Sequence, residues 1–200
     1  VNADDSYNAA VTKTEIAEEF GMEMLIPNHN GFKAQDMLLL IKKLIEQEKA
    51  RNKVIVLDTL KKFTDLMDKK TASEFGNLAR EFIFAGGTLI CLAHTNKHKD
   101  ADGRSVHAGT SDIKDDSDCA YVIDKIGVDD LSDKHVVEFT NLKSRGDVDT
   151  TASFEYKRTP GQSYLELLDS VSRIDSQAAE VVKKKTAQDK QLEIDEEQSL

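Results

Sequence analysis

Val54-Ile55-Val56-Leu57-Asp58-Thr59 is the stretch on which the fold turns. Four consecutive branched aliphatic residues end in a carboxylate. Such a run predicts a central strand, buried on both faces, in a parallel sheet. A carboxylate at the carboxyl end of such a strand stands where open α/β sheets take ligands. Asp58 could instead cap the segment that follows it. The neighbouring stretches bear on the choice.

Apolar and polar periods place the other elements around this strand. Ser6–Phe20 reads as a helix closed by Gly21, and Met22–Ile26 as a short strand. Lys33–Ala50 carries Met37, Leu38, Leu40, Ile41, Leu44 and Ile45 at helical spacing. Leu60–Lys70 reads as a helical or irregular loop. Thr71 and Glu74 then fit a capping box for a helix that Gly86-Gly87 stops. Thr88–Ala93 predicts a second buried strand. Strands and helices that alternate in this way imply a parallel sheet with right-handed crossovers.

Beyond His94 the pattern changes. His94–Asp118 is a long polar stretch, of the kind that is usually functional or mobile. Ala120–Ile126, Val136–Leu142, Thr150–Tyr156 and Ser163–Leu168 read as strands in antiparallel hairpins. From Ser170 the apolar content collapses into Lys183-Lys184-Lys185 and an acidic end, predicting a charged helical or disordered tail over residues 169–200. The fold class expected is α/β: a mostly parallel sheet flanked by helices, with C-terminal antiparallel hairpins, over residues 1–168.

Composition narrows the function classes. A net charge of −10 argues against a general nucleic-acid glue, so any such contact needs a local patch. No run of eighteen apolar residues marks a membrane helix, and no signal peptide is evident. Cys91 and Cys119 sit in apolar contexts and read as buried, reduced thiols of a cytoplasmic protein. His94, His98 and His107 lack cysteine partners at zinc-site spacing. The chain opens on Val1, and Val1-Asn2-Ala3-Asp4-Asp5 looks like the end of a strand already under way. A fragment or a processed chain is therefore expected.

Asp4, Asp5, Asp58 and His94 all fall at the carboxyl ends of expected strands, and Lys143-Ser144-Arg145 follows another. Carboxylates, an imidazole and a basic pair at one sheet edge suit metal-assisted phosphoryl transfer. Taken singly, Asp4 and Asp5 could be helix caps and His94 a satisfied structural histidine. Lys143 and Arg145 could be an exposed strand end.

The motifs also carry a resemblance. VIVLDTL (54–60) resembles the Walker B strand of RecA-like ATPases, in the branch of hexameric replicative helicases of the DnaB and plasmid RepA type. TLICLAHTNK (88–97) is similar to the next strand, whose terminal residue senses the γ-phosphate. HAGTSDIKDDSDCAYVI (107–123) resembles the stretch after the family's mobile loop. VVEFTNLKSRG (136–146) resembles the strand ending in Lys-x-Arg, and VNADDSYNAA (1–10) the strand end with the catalytic acid. The motifs come in family order over roughly residues 1–168.

The resemblance implies ATP and Mg²⁺ as cofactors. Asp58, with Thr59 beside it, would bind the cofactor, Asp58 holding Mg²⁺ through water. Asp4, with Asp5 as second choice, would polarise the attacking water where the family usually has Glu. His94 would report γ-phosphate status, and Lys143 with Arg145 would reach a neighbouring subunit's nucleotide. Lys97, Lys99, Arg104 and Lys114 would meet DNA, single-stranded by preference, in a homo-oligomeric and hexameric ring. The departure is that G-x-x-x-x-G-K-S/T occurs nowhere in the 200 residues. A non-enzymatic loader or mediator of the same fold is the alternative. A phospho-receiver domain fits poorly, because the chain's only prolines are Pro27 and Pro160 and antiparallel hairpins follow the parallel strands.

Overall fold

A computed structural model of the chain describes residues 1–65, 67–99, 105–107, 111–129 and 133–198. The chain is mixed α/β and divides into two compact units. The first holds residues 1–96 and 107–117, the second residues 97–106 and 118–200.

In the first unit, α1 (Tyr7–Glu19), α2 (Asp36–Glu46) and α3 (Lys69–Phe84) accompany β1 (Val54–Asp58) and β2 (Thr88–Leu92). β1 and β2 pair in parallel, from Val54↔Thr88 to Asp58↔Leu92. The first residues extend this sheet on the other side of β1, through a parallel bridge between Asn2 and Asp58. Met22–Ile26 forms no regular strand, although Asn2 N–H donates to the Leu25 carbonyl at 3.0 Å. A 3-10 turn, Leu60–Lys62, follows β1.

The core of this unit gathers Met37 and Ile41 of α2, Leu57 of β1, Leu60 and Phe63 beyond it, and Phe75, Leu78 and Phe82 of α3. The helical spacing read in the sequence is what brings these side chains to one side. Gly87 fits here for lack of a side chain, since a Cβ would lie 2.4 Å from the Phe82 ring.

β1 and β2 are not buried on both faces, which corrects the expectation from their apolar runs. Residues alternate across a strand, and Leu57 is fully buried while Val54 and Val56 are 63% and 40% exposed. Ile90, the register partner of Val56, and Leu92, that of Asp58, are exposed as well. Within this unit the helices cover one face. Both cysteines are free, and both residues are exposed where the sequence reading had them buried. Crowding around the Cys91 sulfur nevertheless pushes its thiol pKa up to about 12, by burial.

Helix α3 starts earlier than Thr71. Asp68 is its N-cap, and its carboxylate accepts from Thr71 N–H at 2.9 Å and from the Thr71 hydroxyl. The cap is thus Asp68-x-x-Thr71, not Thr71-x-x-Glu74, because an ionised carboxylate is the stronger acceptor for a helix N-terminus. The polar stretch after His94 contains regular structure: β3 (Thr95–Lys99) paired with β4 (Ser105–His107), then α4 (Ser111–Asp116). Arg80 of α3 donates to the Asp116 carbonyl at 2.7 Å.

The second unit is a four-stranded antiparallel sheet in sequential order: β5 (Cys119–Asp129), β6 (Lys134–Ser144), β7 (Thr151–Lys157) and β8 (Ser172–Ile174). Ser163–Leu168 is not a strand. It belongs to α5 (Tyr164–Asp169), where Ser163 and Glu166 form a reciprocal capping box. Residues read as a charged helical or disordered tail form α6 (Ser176–Gln198). Its first half packs on the sheet through buried Ala179 and Val182. Gly127 of β5 lies under this helix, where a Cβ would come 2.2 Å from Thr186 Oγ1 and 2.8 Å from Val182 Cγ1. Lys183 bonds Glu138 at 2.8 Å.

Among the described residues no helix is long and apolar enough to cross a membrane.

Candidate functional site

The carboxyl ends of the parallel strands gather Asp4, Asp58 and His94 in the first unit. Asp58 is the hub. Its N–H donates to the Val1 carbonyl at 3.0 Å, and its carbonyl accepts from Ala3 N–H at 2.6 Å. The half-buried Asp58 carboxylate receives no hydrogen bond among the described residues, which leaves its oxygens open to a ligand.

Asp4 and His94 meet across the strand ends. His94 Nε2 lies 3.3 Å from Asp4 Oδ2, and the two side chains are 55% and 39% exposed. Asp5 has a different setting. Lys13 Nζ and Asn2 Nδ2 both donate to its Oδ2 at 2.5 Å. The Lys13 ammonium first, and the Asn2 amide second, hold the Asp5 carboxyl below its usual range. Asp4 meets His94, while Asp5 ties the chain to α1 through Lys13. Neither caps that helix, whose N-cap position is Ser6.

Asn2 makes this division, and sequence reading missed it. Buried at 7% exposure, it accepts through Oδ1 from Asp4 N–H at 3.3 Å and Asp5 N–H at 3.2 Å. The signal was present as an Asn two and three residues before the carboxylates, the spacing of an Asx turn.

An open cleft of about 630 Å³ adjoins these strand ends, bordered by Thr59, Lys61, Lys62, Thr64, Asp65 and His94 among others. Lys61 and Lys62 bring positive charge to it from the 3-10 turn after β1 and are exposed. They too went unread in the sequence. Thr59 is 2% exposed, and its hydroxyl donates inward to the Leu92 carbonyl at 3.1 Å.

Lys143 and Arg145 stand at the end of β6 in the second unit. Arg145 Nη1 pairs with Asp118 Oδ1 at 3.1 Å, and its N–H donates to the Asp118 carbonyl at 2.9 Å. Of the residues assigned to nucleic acid, Lys114 lies in α4 with Asp115 at 3.9 Å. Lys97 and Lys99 belong to β3, and their side chains, like Arg104 as a whole, lie outside the described residues.

No group of three or more His, Cys, Asp or Glu side chains able to hold a metal occurs among the described residues. An all-protein cage for zinc or calcium is not what this donor set offers. A single open carboxylate at Asp58 does suit Mg²⁺, which keeps most of its waters and takes one or two carboxylates together with substrate phosphates.

No protein-family model matches the chain, and no curated protein is similar to it.

Proposed function

We propose that the chain is the catalytic core of a nucleic-acid-dependent ATPase of the RecA-like class, a replication or recombination helicase or motor. The observation that carries the reading is the convergence of Asp4, Asp58 and His94 at the carboxyl edge of parallel strands. Each has chemistry suited to phosphoryl transfer. Asp58 would hold Mg²⁺ through water, and the ion when bound neutralises phosphate charge. Asp4 would accept a proton from the attacking water, with the His94 imidazole beside it at 3.3 Å. His94 lies between β2 and β3, so a change at the imidazole would reach the start of β3.

Arg145 and Lys143 serve a neighbouring subunit's nucleotide in this reading, which makes a homo-oligomeric ring, hexameric in form, the working state. Arg145 must then leave Asp118 for phosphate, an exchange of one anionic partner for another. Lys97, Lys99, Arg104 and Lys114 provide the local patch for single-stranded DNA.

The test is ATP hydrolysis by the full-length gene product with and without single-stranded DNA. Arg145→Ala is expected to lower turnover about a thousandfold or more while ATP binding persists. Normal turnover in that variant removes the finger role. The second reading is a loader or mediator of the same architecture that does not turn over nucleotide, and the full-length gene product decides between the two. A full-length product whose melting temperature does not respond to Mg²⁺–ATP would establish that second reading over the first.

A further inference from the structure

The Asp4–His94 contact is held from behind by a single side chain. Two exposed groups 3.3 Å apart do not fix each other's geometry, since a solvated ion pair gains little over its solvated halves. Their positions must come from the backbone that carries them. Asp4 follows Ala3, whose N–H is bonded to the Asp58 carbonyl. His94 lies two residues beyond Leu92, the last residue of β2 to pair with β1. At that point the β1–β2 pairing stops. What continues it is the Thr59 hydroxyl, which donates to the Leu92 carbonyl at 3.1 Å from a side chain 2% exposed. The dipeptide Asp58-Thr59 therefore anchors both partners, Asp4 through its backbone and His94 through the hydroxyl.

We propose that Thr59 is the positioning residue for His94, setting the end of β2 at the height where the imidazole meets Asp4. The buried Thr59 hydroxyl has a strong reason to keep its acceptor, because leaving it unpaired costs the desolvation of that group. Thr59 acts through Leu92 and Ala93 and touches no reacting atom. The geometry stands independently of the ATPase reading; its effect on turnover rests on that reading.

The experiment is NMR of the His94 imidazole in the full chain. In the wild type, Asp4→Asn is expected to move the His94 imidazole resonances. In a Thr59→Val background, which keeps the shape and removes the donor, that response is expected to fall below about half, as coupled neighbours require. Thr59→Ser is expected to restore it. An equal Asp4→Asn response with and without the Thr59 hydroxyl overturns the assignment. If Thr59→Val does not fold, Thr59→Ala, which also removes the donor, takes its place, and a wild-type response there overturns the assignment equally. In ATP hydrolysis by the full-length product, Thr59→Val should lower kcat with KM retained. The NMR coupling in a protein that hydrolyses nothing supports Thr59 as positioning residue and overturns the ATPase reading. Hydrolysis with no such coupling does the reverse.

Discussion

The parallel strands β1 and β2 and the antiparallel meander β5–β8 solve the same burial problem in different ways. The meander is local. Each strand pairs with the next in sequence, and α6 returns onto the same sheet through Ala179 and Val182. The parallel pair needs crossovers: α3 links β1 to β2 and, with α2, fills one side with Phe82, Phe75, Met37 and Ile41. The other side leaves Val54, Val56, Ile90 and Leu92 exposed. Parallel strands are built from residues suited to two-sided cover, whereas an antiparallel sheet is stable with one face wet. The candidate site sits on the first kind of sheet, where strand ends from distant parts of the chain meet.

The sharpest way to test that contrast is to remove a core anchor from one side. Phe82→Ala should destabilise the first unit by about 3–5 kcal/mol, the usual cost of emptying a fully buried aromatic site. Hydrogen exchange at the β1 and β2 amides reads this directly. If the amides of β5–β7 accelerate to the same extent, the two regions unfold together and the contrast is only architectural.

Next in size are the two glycines at close approaches, one in each region. Gly87→Ala should cost about 1–3 kcal/mol by overpacking, because the Phe82 ring it would strike is itself fully buried. Gly127→Ala should cost at least as much, because a Cβ there would lie 2.2 Å from Thr186 Oγ1 and its φ of +158° strains any side chain. Exchange should then rise in both β5 and α6. A smaller loss than for Gly87→Ala in urea unfolding would contradict this.

The smallest effects come from pH, and they separate the regions by sign. Asp5 is held below the usual carboxylate range by Lys13 and Asn2. Its contribution is present above the unfolded carboxylate pKa and is lost as pH falls through the lowered folded value. Burial pulls Lys183 down, but Glu138 and Glu180 outweigh it and hold it above the usual lysine range. Its contribution is full below the unfolded lysine pKa and is lost as pH rises through the raised folded value. Both groups are partly exposed, so both effects are screened. Asp5→Asn should flatten the acid limb of the stability profile and Lys183→Met the alkaline limb. The same limb flattened by both would show that these pairs do not act regionally.

Much of the chain was legible where one signal dominated. The runs Val54–Leu57 and Leu89–Leu92 announced strands, and the spacing from Met37 to Ile45 announced α2. Legibility failed where two signals competed. Tyr164–Leu168 is apolar enough for a strand, yet the reciprocal bonds of Ser163 and Glu166 make it a helix. Asp68 displaced Thr71 as a cap because both stand at workable spacing and the carboxylate binds amides better. In the candidate site, residue types at strand ends pointed to Asp4, Asp58 and His94. The separate roles of Asp4 and Asp5 depended on Asn2, whose two hydrogen bonds to their amides turn one side chain toward His94 and the other toward Lys13.

By itself the sequence determined which segments are apolar, where they end and which charged groups follow them, because periodicity and chain-terminating residues are local properties. Tertiary structure alone decided that Leu57 is buried while Val56 is open, and that the Thr59 hydroxyl turns inward to Leu92. It also placed His94 beside Asp4, ninety positions away in the chain. Those outcomes depend on which side of a strand receives a helix and on the register between strands, and neither is written in any one segment.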